Sequence, residues 1–97
     1  MLDKLTRADF GALLGSAFRL EANAAPLELE LIAADAAGAS QPSAPRQPFS
    51  LLFRGPRTPL LAQQIHALNH SSLGMLEIFL VPIGPDDQGQ RYQAIFA

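Results

Sequence analysis

After Gly15 the apolar residues fall at every second position, and this period of two constrains the chain more than any other feature. Phe18, Leu20 and Ala22 alternate with Arg19, Glu21 and Asn23. Leu27, Leu29 and Leu31 alternate with Glu28 and Glu30. Successive side chains of an extended chain point to opposite faces, so each run has one face for a core and one for water. The break at Asn23-Ala24-Ala25-Pro26 joins the two runs as a hairpin. Further strands are predicted over Phe49–Arg54, Gln64–Asn69, Met75–Ile83 and Gln90–Phe96. Phe49, Leu51 and Phe53 share a face in the first of these. In the last, Tyr92, Ala94 and Phe96 share one face and Ile95 takes the other. Gly55-Pro56, Ser71-Ser72-Leu73-Gly74 and the Gly84–Gly89 loop supply the turns. The run Met75–Ile83 is apolar on both sides except at Glu77, which predicts a central strand buried on both faces. Arg57–Ala62, with Pro59 and two leucines, is expected to cross over an end of the sheet.

Ahead of the strands the period is that of a helix. Thr6 is placed to accept from the first free N–H groups, and Asp9 stands three residues on, at the positive end of the helix dipole. Phe10, Leu13 and Leu14 form an apolar stripe, and Gly15 is a natural stop. A helix over Arg7–Leu14 is too short to persist alone in water, so it must dock on the sheet. The resulting fold class is mainly β (α+β by count of elements), with a short N-terminal helix packed on a six-stranded antiparallel barrel or sandwich. At 97 residues the chain is a single domain over 1–97. The stretch Ala33–Gln47 is rich in Ala, Pro, Ser and Gly and lacks a large apolar anchor, which predicts a flexible loop at about 34–47.

Composition narrows the function classes. Charged residues make up 16% of the chain, against about 25% in a typical domain. Either uncharged polar groups cover so neutral a surface, or another chain covers part of it. A protein partner or self-association is therefore expected. The net charge is −2 with the basic residues scattered, which argues against nucleic acid. The longest apolar run, Ile78–Ile83, contains Pro82 and is far short of the ~20 residues of a spanning helix, so no membrane is expected. The opening Met1-Leu2-Asp3-Lys4 lacks the pattern of a signal peptide, and there is no cysteine; a cytoplasmic location is expected.

Individual sites are few. Arg54 and Arg57 flank Gly55-Pro56 and form the best candidate for a ligand or partner contact, since paired guanidinium groups can hold an anion or carboxylate. His66 and His70 stand four apart, which on a strand separates them by ~13 Å, too far for one metal ion. Asp86-Asp87-Gln88-Gly89-Gln90 lacks the alternating acidic ligands of a calcium loop and reads as a hairpin turn. Ser71 and Ser72 beside His70 do not make a catalytic triangle, and no phosphate-binding or nucleophile motif occurs. The expectation is a non-enzyme with no catalytic residues, no metal and no cofactor.

Several blocks carry a resemblance: Met1–Thr6, Phe18-Arg19-Leu20, Pro48-Phe49-Ser50-Leu51-Leu52-Phe53-Arg54-Gly55-Pro56, and Phe79 to Pro85. Over nearly its whole length the chain resembles a small bacterial family filed as a domain of unknown function, departing from it at Gln63–Leu68. That family is often encoded near phage-tail-collar-like genes. The resemblance implies an accessory or structural part of a phage-tail-like system and brings no catalytic residue. The leading expectation is an uncharacterised structural or protein-interaction module. The alternative is a small-ligand or peptide-binding β-barrel with an arginine-lined pocket at Arg54 and Arg57.

Overall fold

The computed structural model describes residues 5–22, 25–36, 48–58 and 60–96. Its helix α1 spans Arg7–Gly11, and its strands are β1 (Ala17–Ala22), β2 (Ala25–Ala36), β3 (Phe49–Gly55), β4 (Gln64–His70), β5 (Gly74–Asp86) and β6 (Gly89–Phe96). All pairings are antiparallel, and the strands close into a barrel in the order β1-β2-β3-β6-β5-β4. Closure decides between the barrel and the sandwich, and it leaves every strand with a neighbour on both sides. β4, β5 and β6 form consecutive hairpins, and β3, joined to β4 by the long connection after Gly55, lies beside β6 as in a Greek key.

The period of two places the core. Phe18 and Leu20 of β1, Leu29 and Leu31 of β2, and Phe49, Leu51 and Phe53 of β3 point inward. So do Leu68, Leu76, Ile78, Leu80, Tyr92, Ala94 and Phe96 from the other three strands. These side chains fill the barrel. Helix α1 closes one end, with the Phe10 ring 5.8 Å from both Phe49 and Phe96, which stack on each other at 4.8 Å. At the other end the β3–β4 connection crosses the mouth as expected. Leu61 is buried there, and its N–H donates to the hydroxyl of the buried Tyr92 at 3.0 Å.

Several elements differ from the sequence expectation. The helix ends at Gly11 rather than Leu14, and Leu14 is 51% exposed. The predicted N-terminus is present: Thr6 and Asp9 form a reciprocal capping box. The early end follows from the sheet, because the Gly15 N–H donates to the Leu31 carbonyl and the Leu31 N–H donates to the Ser16 carbonyl. That pairing pulls the chain out of the helix one turn early, with Gly15 at φ 86° making the bend.

β2 runs to Ala36, so residues 34–36 of the expected loop are strand. They pair with Leu51, Ser50 and Phe49 across a register shift between Leu31 and Ala33. A partner strand supplies ladder bonds that alanine's weak strand preference does not forbid. The rest of that loop expectation, 37–47, lies outside the described residues.

β5 is a further correction. It is not buried on both faces, and a closed barrel has no central strand. Leu76, Ile78 and Leu80 face the core, while Met75, Phe79 and Ile83 are 57%, 49% and 38% exposed. A barrel has one interior, so an apolar run on its wall shows every second residue to the outside. The Gly84–Gly89 loop also contracts. β5 continues through a register shift between Pro82 and Gly84 to Asp86, which pairs with Gly89 across a two-residue turn.

Candidate functional site

Arg54 and Arg57 converge on one residue, Asp86. The Arg54 guanidinium donates from Nε at 2.9 Å and from Nη2 at 2.5 Å to Asp86 Oδ2. The other carboxylate oxygen, Oδ1, accepts the Gln88 N–H at 2.8 Å and the Gly89 N–H at 3.0 Å, closing the β5–β6 turn. Arg57 Nη2 donates to the Asp86 main-chain carbonyl. Pairing with Arg54, then the turn N–H groups, lowers the Asp86 carboxyl from 3.8 to about 2, and the same pairing raises Arg54. The acceptor sites of this carboxylate are turned to its own chain, so the Asp86–Gly89 segment is a braced hairpin. Gly89 is required here, because a Cβ at that position would collide with the Gly55 carbonyl oxygen.

A shallow cleft of about 400 Å³ lies beside this clamp on the outer wall. Its lining includes Arg54, Glu28, Glu30, Gly55, Pro56 and Gln88, but not Arg57. Cross-strand pairing explains part of the grouping, since Glu30 of β2 is opposite Arg54 of β3.

The two histidines secure opposite ends of β4. Nε2 of His66 faces the Ala62 carbonyl at 2.8 Å, tying the strand to the crossover connection. A carbonyl can only accept, so this nitrogen carries the proton. His70 is buried. Its Nδ1 accepts from the Ser72 N–H at 3.0 Å, which leaves Nε2 to donate to Ser16 Oγ at 3.0 Å, and Ser16 in turn donates to the Leu13 carbonyl. This chain links the β4–β5 turn to the segment after α1. Among the described residues no group of His, Cys, Asp or Glu is placed to hold a metal ion. No helix among them is long and apolar enough to cross a membrane.

The outer wall of β4, β5 and β6 is the feature that sequence reasoning missed. Ile65 and Phe79 are direct cross-strand partners, exposed by 62% and 49%. Val81 is opposite Gln93, so continuing that register two residues along β6 sets Ile95, 67% exposed, beside Phe79. Three large apolar side chains therefore lie in one row across three strands. Five of the six phenylalanines are buried, and Phe79 alone has its ring outside. The low overall charge and the two-sided apolar run Met75–Ile83 are the signals of such a face, but neither says that it lies on the outside of a barrel.

With this geometry in place, comparison with known families gives a match over residues 5–96 to a domain of unknown function, DUF6916. The chain belongs to that family. The match spans the capping box, all six strands and both ends of the barrel, so the DUF6916 domain and the barrel are the same unit. No curated protein and no solved structure matches the chain.

Proposed function

We propose that this DUF6916 domain is a non-catalytic structural or protein-interaction module whose contact surface is the outer wall of β4, β5 and β6. The observation that carries this reading is the row Ile65, Phe79 and Ile95, each exposed by 49% or more on the barrel wall. A contiguous apolar patch on a small domain marks a contact surface far more often than scattered single residues do. Among the described residues, three of the groups that a catalytic site could draw on are engaged in holding the fold: Arg54 on Asp86, His66 on Ala62, His70 on Ser16. A role as an accessory of a phage-tail-like system is the finer form of this reading. It rests on the resemblance of the Pro48–Pro56 and Phe79–Pro85 blocks, and a cytoplasmic site of action goes with it.

The test is a photo-crosslinking amino acid at position 79, with Asp9 of helix α1, which packs on β2 and β3 and lies off this wall, as the control position. A discrete polypeptide adduct from position 79 and none from position 9 is the expected outcome in cells making the protein. An adduct pattern identical at both positions, or none at either, rejects the module.

A second reading, a small-ligand or peptide site at the arginines, draws on the cleft beside Arg54. Glu28 and Glu30 share that cleft, so its occupant would carry a cationic group near the glutamates. Amide chemical shifts of Glu28 and Gln88 that stay fixed through titration with lysine- and arginine-containing peptides would remove it.

A further inference from the structure

We infer that the occupant of this wall is a second copy of the same chain, related by a two-fold axis lying across the strands between the Phe79 and Val81 rows. The inference rests on the interaction-module reading and adds the identity of the partner. Its ground is the charge that borders the patch. Glu77 stands on β5 one step beyond Phe79 toward the β4–β5 turn, exposed on the outer wall. Arg91 stands on β6 on the opposite side of the patch, outward-facing, with its Nε donating to the Gly84 carbonyl at 3.3 Å. Glu77 and Arg91 therefore border the apolar patch on opposite sides along the strand direction, with Asp86 and Asp87 beyond Arg91 in the β5–β6 turn and Asp86 already paired with Arg54.

A face with one sign at each side of an apolar centre is complementary to itself. A two-fold axis in the interface and perpendicular to the strands exchanges the two sides, so Glu77 of each copy meets Arg91 of the other. The same operation lays the Phe79–Ile95 row of each copy over the Val81–Gln93 row of the other, with the two apolar rows side by side across the axis. The strands of the two walls then run nearly aligned, the usual relation for packed sheets. A partner with a strongly acidic or basic surface would match one border and be repelled by the other. The two charges set the register of the pair, and the apolar row supplies the contact.

The experiment is sedimentation velocity on the full chain from about 1 µM to about 1 mM. The wild type is expected to show a concentration-dependent monomer–dimer equilibrium. Glu77→Arg and Arg91→Glu, each placing like charges together, are expected to weaken dimerisation by about tenfold or more. The double variant, with the pair reversed, is expected to recover to within about threefold of wild type. Circular dichroism melts on each variant confirm that the barrel is intact, and Phe79→Ser serves as a charge-neutral variant expected to abolish the dimer. A wild type that is monomeric at every concentration, a double variant no better than either single one, or undiminished dimerisation in Phe79→Ser each overturns the inference. A monomeric wild type whose position 79 crosslinks to a different polypeptide overturns the self-pairing while leaving the interaction module standing.

Discussion

Asp86 shows how one side chain can organise a turn and two neighbouring strands. Its carboxylate divides its acceptors between Arg54 of β3 and the N–H groups of its own hairpin, and both arrangements favour the ionised form. Because the folded-state value is depressed, the stabilisation is complete above the ordinary carboxyl value of 3.8. It is lost as pH falls through the window down to about 2. Thermal melts of the wild type should lose stability across that window. Asp86→Asn should begin less stable at neutral pH and show a flatter profile between pH values of about 4 and about 2. An unchanged acid profile in Asp86→Asn would mean that the clamp contributes nothing. The pairing itself was not legible in the sequence. Arg54 and Asp86 are 32 residues apart, and only the β3–β6 and β5–β6 registers bring them together.

The elements of the barrel are unequal in how firmly they are paired. β3 and β6 share an uninterrupted register from Phe49–Phe96 to Gly55–Gln90, while the β1–β4 seam that closes the barrel is held by Arg19–Asn69 and Leu20–Leu68. A short seam opens at lower free-energy cost than a long ladder, since fewer hydrogen bonds and side-chain contacts must part. Amide hydrogen exchange should therefore be fastest, among strand residues, along β1 and β4 at the seam, and slowest in Leu51 and Phe53. Protection in Leu20 and Asn69 equal to that of Leu51 would show that the barrel opens only as a whole. Every strand was legible in the sequence, β1, β2, β3 and β6 by the alternation of apolar residues, but the ends of the elements were not. β2 reaches Ala36 because β3 offers it a partner, and α1 stops at Gly11 because Gly15 and Ser16 are drawn onto Leu31. Local pattern carries no record of a partner that arrives from elsewhere in the chain.

For the molecule as a whole, the consequence of closure is a strict division between the two sides of the wall. Phe53 is fully buried, whereas Phe79 is 49% exposed. Phe53→Ala should cost about 3–5 kcal/mol in urea denaturation, a large part of the total for a domain of this size. Phe79→Ser, measured on dilute monomer, should change stability by no more than about 1 kcal/mol. Equal losses for the two variants would place Phe79 in the core and remove the contact wall.

By itself the sequence determined the number of strands, the shared apolar faces of β1, β2, β3 and β6, the capped helix start and the shortage of charge, because these depend on residue type and local spacing alone. Only the tertiary structure decided that the sheet closes, that β5 turns Phe79 outward, and that Arg54, Arg57 and Asp86 meet. The physical reason is that a period of two tells which residues share a face of a strand. Which face is covered depends on pairings between segments distant in the chain, and those are set when the whole barrel forms.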